Sequence, residues 1–308
     1  MKISDTRNKF LKGDIAKPEF IQSMYQEHHA KLFDYAEYIK QTNIASIEIS
    51  DDMVVLTSRD KGLKMICPFG DYRVAPIEAL NFLDYETTDS AMIMRLVSSA
   101  DCVIDIGANM GWYAINIAKA YPLTEVHAFE PIPKTHSFLE KNIALNNVSN
   151  ISPYNFGLSD ARKDLTFYFY PEGSGNASSE NMSGRDDAEL LICHVERLDD
   201  FVSKNDLHVD FIKCDVEGAE LFAFKGGINT LKRDKPIVFT EMLRKWAAKF
   251  GYHPNEIITL FSNIGYKCFS AEGENLVEVL MMDENTIETN FFFLHIEKHA
   301  DKIDALVI

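Results

Sequence analysis

Residues 101–130 impose the tightest constraint on what this chain can fold into. DCVIDI (101–106) is a short apolar run that suits a strand buried on both faces. It leads into Gly107-Ala108-Asn109-Met110-Gly111, and WYAINIAKAY (112–121) follows with helical spacing. A second apolar run, TEVHAF (124–129), ends in Glu130, 25 residues after Asp105. The order strand, glycine turn, helix, strand, acid is that of a nucleotide-binding βαβ unit. Gly107 lets the chain turn tightly. Gly111 lets the helix approach a strand or a ligand without a Cβ. The helix N-terminus offers unpaired N–H groups, and an acid closing the second strand is placed to hold ribose hydroxyls.

The glycine pattern is D-x-G-x-N-x-G, not the dinucleotide G-x-G-x-x-G. Asp105, two residues before the first glycine, would repel a pyrophosphate and suit an ammonium group. A ligand with a ribose, a free amino group and no pyrophosphate points to S-adenosylmethionine.

Three segments carry a family resemblance: VIDIGANMGWYAI, AFEP and DFIKCDVEGAE. Together they resemble the FkbM family of S-adenosylmethionine-dependent methyltransferases, mostly O-methyltransferases, several of which modify sugars or secondary metabolites. The likeness runs from about Tyr85-Glu86 to the strand near 290–296. It implies a Rossmann-like class I methyltransferase fold with a seven-stranded, mostly parallel sheet, preceded by a helix-and-hairpin appendage. It implies that Asp105, Gly107, Ala108, Asn109 and Gly111 line the methionine end of the cofactor, with Asp215 also on the cofactor side. Glu130, followed by Pro131, would take the ribose. Gly157-Leu158-Ser159-Asp160 matches the family's A-L-S-D stretch near the adenine, with glycine in place of alanine. Tyr85-Glu86 matches a Y-E pair, so Glu86 would contact cofactor or acceptor, with a plain surface-helix acid as the alternative.

In the second half, VDFIKC (209–214) ends in Asp215-Val216-Glu217-Gly218-Ala219-Glu220. Open α/β sheets bind ligands beyond the carboxyl ends of their strands, which puts three carboxylates at the expected place. Glu217 and Glu220 could instead favour a helix N-terminus. PIVFTE places Glu241 at another strand end. Strands are expected at 164–170, 265–270, 275–281 and 290–296, with a helix over 254–264. Residues 171–187, rich in Gly, Ser and Asn, read as a mobile loop of the kind that covers a site. His194 sits late in a strand, as a candidate base or a solvent-facing histidine.

Length gives a prior of about two domains. The reading divides the chain into an N-terminal helical and β-hairpin segment (1–95), a methyltransferase domain (96–298) and a C-terminal tail (299–308). Helical spacing over 18–41 predicts one or two amphipathic helices, which could pair with a second copy or pack on the body. The following strands are separated by Asp51-Asp52 and Lys61-Gly62. The appendage reads as a packing or dimerisation element rather than as a wall of the acceptor pocket.

Net charge is −16, with −3 on residues 1–95 and −13 on the rest. That disfavours nucleic acid and anionic lipid as partners and favours a neutral small-molecule or glycan acceptor. No run approaches the roughly 18 apolar residues of a membrane span, and the first residues lack the apolar core of a signal peptide. A cytoplasmic location is expected. The cysteines are odd in number and show no C-x-x-C, which argues against a disulfide framework or a zinc site.

The expected function is therefore methyl transfer to a hydroxyl. Asp215 or Glu217 is the preferred base, with His194 behind them, and no metal is expected. The competing readings are an NAD-type Rossmann oxidoreductase and a non-catalytic protein that binds the cofactor.

Overall fold

The computed structural model describes residues 2–308. Helix Ile3–Leu11 is followed by a second helical stretch, Lys17–Met24, which continues through a π turn (Tyr25–His29) into Ala30–Tyr38 and a 3-10 turn, Ile39–Gln41. The expected 18–41 helix is thus a single rod. The helix before it is one that weak apolar spacing does not announce. Strands β1 (Ile44–Ile49), β2 (Val54–Ser58) and β3 (Lys64–Cys67) then form an antiparallel meander, broken at the two turns anticipated.

Beyond it lie β4 (Cys102–Ile106), β5 (Glu125–Phe129), β6 (Ile151–Tyr154), β7 (Gly157–Leu158), β8 (Lys163–Phe169) and β9 (Glu189–Glu196). The chain ends with β10 (Phe211–Cys214), β11 (Ile237–Glu241), β12 (Tyr266–Glu272), β13 (Asn275–Glu278) and β14 (Asn290–His295), then helix Ala300–Leu306. The main sheet has the order β13-β12-β14-β11-β10-β4-β5-β6. From β6 to β11 the strands are parallel, and β14, β12 and β13 are antiparallel.

The sheet therefore has eight strands where seven are expected. The extra one, β13, follows β12 through the two-residue turn Gly273-Glu274, where Gly273 takes a positive φ of 59°. Such a tight hairpin adds an edge strand at little cost in chain length. Strands β7, β9 and β8 form a separate small sheet, so the apolar 163–169 run is not part of the main one.

Alternation along the strands explains why the central runs are apolar throughout. Val103 faces one buried cluster, while Cys102, Ile104 and Ile106 face the other. Likewise Phe292 and Leu294 point one way, and Phe291 and Phe293 the other. With helices on both faces, every position of such a strand is interior.

The first of these clusters also takes in Leu63 and Met65 from the hairpin region, Met92, Ile93 and Leu96 from helix Thr87–Leu96, and Leu306 from the last helix. Packing therefore runs continuously across residues 95 and 298. The 171–187 run contains only one 3-10 turn, Ser174–Asn176, but it is anchored. Ser178 bridges Tyr168, and both Ser174 and Ser178 are buried.

Candidate active site

The carboxyl ends of β4, β5, β10 and β11 open into a cavity of about 870 Å³. After β4 the backbone turns through three left-handed residues: Gly107 (φ 75°), Asn109 (φ 50°) and Gly111 (φ 91°). A Cβ on Gly107 would stand 1.9 Å from the Asp215 carbonyl oxygen. That glycine is what lets the end of β4 lie against the end of β10. A Cβ on Gly111 would meet the Leu139 side chain at 2.6 Å. Gly111 thus serves the approach of helix Trp112–Ala120 to helix Pro133–Asn146 and is not on the cavity wall, whereas Gly107, Ala108 and Asn109 are.

Asp105 lies beneath this turn, 1% exposed and off the wall. Its neighbour is Lys213 of β10. The Lys213 ammonium stands 3.3 Å from Asp105 Oδ1 and 3.8 Å from Asp215 Oδ2, and donates to the Gly107 carbonyl at 2.6 Å. Burial alone would lower the lysine's pKa, but the two carboxylates raise it above its ordinary value. Burial pushes the Asp105 pKa up, against the pull of Lys213. Asp105 is therefore paired with Lys213 beneath the turn, off the wall on which the resemblance would set it.

Glu130 closes β5 on the wall, 5% exposed. Its Oε2 accepts the Asn109 N–H at 3.0 Å and its Oε1 accepts the Ile132 N–H at 2.8 Å. Burial raises its pKa to about 7 despite those bonds. Pro131, Leu158 and Ser159 line the same end. Asp160 is not itself on the wall but pairs with the wall residue Lys163 at 2.9 Å.

The opposite end is rich in carboxylates: Asp215, Glu217, Glu241 and Glu86. Glu86 and Glu217 both adopt left-handed backbone (φ 43° and 55°), a conformation uncommon outside glycine and concentrated at functional sites. Burial, with Asp215 and Glu241 nearby, raises the Glu217 pKa well above the usual carboxylate range. Burial and Asp215 push Glu241 to about 9. Burial pushes Glu86 to about 7, although Tyr113 donates a hydrogen bond to it. Phe222, Trp246 and Phe250 flank this end.

Glu220 has the structural role. It is buried off the wall and accepts the Val216 and Gly218 N–H groups and the Tyr252 hydroxyl. His194 is not brought to the site. It lies on β9, with Nδ1 2.8 Å from Asp164 and Nε2 3.3 Å from Glu196, and does not line the cavity. Its strand belongs to the small sheet, which explains the misplacement.

Arg73, Glu78, Phe82 and Tyr85 make one side of the cavity, and Ser174, Asn176 and Ser179 of the 171–187 run make another. The expectation of a purely packing or dimerising appendage is thus corrected for residues 73–86. Among the described residues no group of three or more His, Cys, Asp or Glu could hold a metal ion. None of the described helices is long and apolar enough to cross a membrane.

The order β6-β5-β4-β10-β11 followed by antiparallel β14 and β12, with a glycine turn after β4 and an acid ending β5, defines a Rossmann-like class I methyltransferase fold. The Methyltransferase FkbM domain description matches residues 105–268. "Methyltransferase 1" of Beauveria bassiana is 32% identical over 142 residues, 40% of this chain and 57% of that protein. "2-O-methyltransferase NoeI" of Sinorhizobium fredii is 28% identical over 166 residues, 48% of this chain and 66% of its own. A solved "Methyltransferase FkbM" from Methylobacillus flagellatus aligns with a TM-score of 0.43 at 15% identity, over 88% of this chain and 60% of that one. The chain belongs to the FkbM methyltransferase family, and it spans under two thirds of the Beauveria relative's length.

Proposed function

We propose that this chain is an S-adenosylmethionine-dependent O-methyltransferase whose acceptor is a hydroxyl of a sugar or other small metabolite. The observation that carries the reading is one cavity with a backbone-anchored acid, Glu130, at one end and Asp215 and Glu217 at the other.

The residues fit the cofactor. Each oxygen of Glu130 accepts one backbone N–H, which leaves lone pairs for the two hydroxyls of a ribose. Leu158 offers an apolar face and Ser159 a polar group beside it for a purine. When bound, the cofactor supplies a methyl group already activated on a sulfonium. The chain's own task is to align the acceptor oxygen and to accept its proton. Orientation of this kind can be worth several kcal/mol, and a positioned base gives roughly 10²–10⁴-fold.

Asp215 suits the base, because it is the wall carboxylate that has an ammonium, Lys213, close by. Glu217 and Glu241, with raised pKa values, suit hydrogen-bond donation to the acceptor's other oxygens. Of the wall's four cations, Arg73, Lys163 and Lys213 are paired with carboxylates and Lys245 lies over the Trp246 ring at 5.4 Å, so at most one is free to meet an anion, which favours an uncharged acceptor. Phe222, Trp246 and Phe250 offer ring faces of the kind that pack on a sugar. Five unpaired cysteines support a reducing, cytoplasmic compartment.

Calorimetric titration with S-adenosylhomocysteine, beside NADH and with a Glu130→Ala variant, tests the cofactor. Micromolar one-to-one binding that weakens in the variant supports the reading. Absent binding, or tighter binding of NADH, overturns it. A labelled methyl donor offered with a panel of sugars and phenols then separates turnover from binding alone.

A further inference from the structure

The N-terminal helices have no role in the cavity, and their surface is unusual for a chain of this charge. Among the described residues, no hydrogen bond or ion pair joins residues 2–37 to residues 42–308. The rod is held at its far end, where the Tyr38 hydroxyl donates to the Leu80 carbonyl at 3.0 Å and Ile39 packs against Ile44, Leu56 and Ala79. At the near end the first helix folds back on it, with Phe10 stacked on Phe20 at 4.5 Å. Between these two covers the rod is open. Leu32 is 54% exposed, Phe33 67% and Tyr35 49%, and Ile21 and Tyr25 are more than half exposed. Along the sequence Ile21, Tyr25, His28, Leu32, Tyr35 and Ile39 follow the alternating four-and-three spacing of a helix-pairing seam.

Charge identifies what fits. Residues 2–17 carry five basic and two acidic side chains, so +3. Residues 18–41 carry two basic and four acidic, so −2. The remaining 267 residues carry −17 of the chain's −16. Two bodies of that charge repel one another, and the hairpin is where two copies can meet without that penalty. A two-fold, antiparallel pairing brings the basic first helix of each copy beside the acidic, open half of the other's rod. Such an interface is self-complementary, as a two-fold axis requires. Area is also sufficient. The exposed set holds three aromatic rings beside Ile21 and Leu32, side chains of a kind that bury up to about 150–250 Å² per ring, against roughly 800 Å² per partner in a typical stable interface.

We propose that the hairpin of residues 3–41 is a dimerisation arm that pairs with the same hairpin of a second copy to form an antiparallel four-helix bundle. The arm stands apart from the cavity, so the dimer and the methyl-transfer reading can fail independently.

Light scattering and sedimentation of the full chain test it. The expected mass is about twice 35.0 kDa at micromolar concentration. The variant Leu32→Glu/Tyr35→Glu is expected at the single-chain mass, with unchanged circular dichroism, melting temperature and S-adenosylhomocysteine binding. Ile21→Glu, toward the rod's other end, is expected to give the same loss. A wild-type chain that stays at 35.0 kDa overturns the proposal. So does a dimer that persists in both variants, which would place the contact elsewhere. A monomer that co-sediments with phosphatidylcholine vesicles through the arm would make the surface a membrane contact instead.

Discussion

Lys213 Nζ stands 3.3 Å from Asp105 Oδ1 in a site where both side chains are at most 5% exposed. A lysine inside a buried parallel strand is tolerated only when its charge is met. Here the same ammonium also reaches Asp215 and the Gly107 carbonyl. The pair thus joins the glycine turn after β4 to the proposed catalytic carboxylate after β10.

Removing the cation leaves Asp105 buried and uncompensated. Lys213→Met is expected to lose about 3–5 kcal/mol of stability, read from urea denaturation. Adding Asp105→Asn should restore much of it, because the orphaned charge is then gone. A single variant as stable as the wild type would show that the pair contributes nothing.

Among the three candidate bases, Asp215 and His194 are told apart by one variant of each. Asp215→Asn is expected to reduce methyl transfer by roughly 10²–10⁴-fold while S-adenosylhomocysteine still binds. His194→Ala removes only contacts to half-exposed or exposed carboxylates on the small sheet, interactions worth ~0–1 kcal/mol. It should keep its rate within about twofold, a change of roughly 0.4 kcal/mol. Initial rates with the acceptor from the screen decide. A large loss in the histidine variant would contradict its placement.

Placement on the cavity wall is legible in the sequence where one short segment carries its own geometry. Gly107, Asn109 and Glu130 lie within 25 residues of Asp105, and local chain stiffness brings the turn and the acid together. Placement is illegible where position depends on how distant segments pair. His194 looked like a site residue because its strand was assigned no sheet, and β7 and β8 carry it away from the cavity. Lys213 sits in an otherwise apolar run, and a charge inside FIKC is itself the signal of a buried partner. The aromatic wall of Phe222, Trp246 and Phe250 has no local pattern at all. It arises when the β10 and β11 crossovers close over the same end of the sheet.

The buried carboxylates are expected to shift the protein's stability optimum to the acid side. Glu86, Glu130 and Glu220 are raised to about 7, and Glu241 to about 9. In the unfolded chain such groups titrate near 4.3. Between those values the folded state holds more protons, so stability falls as pH rises. Thermal melts of the ligand-free protein should therefore decline from about pH 5 toward pH 9, counter to the acid denaturation of ordinary ion-paired carboxylates. Glu241→Gln should flatten the part of the decline above pH 7. A melt that rises over this range would refute the assignment.

Ligand binding should reverse the preference of Glu130. In the free protein burial holds its pKa at about 7. Two hydroxyl donors from a ribose favour the ionised form, because hydrogen bonds to the charged state lower a carboxyl pKa. Binding then releases a proton, so affinity for S-adenosylhomocysteine should strengthen as pH rises from about 5.5 to 8. Calorimetry in buffers of different ionisation enthalpy should report the released proton directly. Glu130→Gln keeps the size of the side chain and some hydrogen bonding but cannot ionise. It is expected to bind more weakly, to lose most of the pH dependence and to release correspondingly less proton. A wild-type affinity that is flat across this range, with no proton release, would mean that Glu130 does not change protonation state on binding.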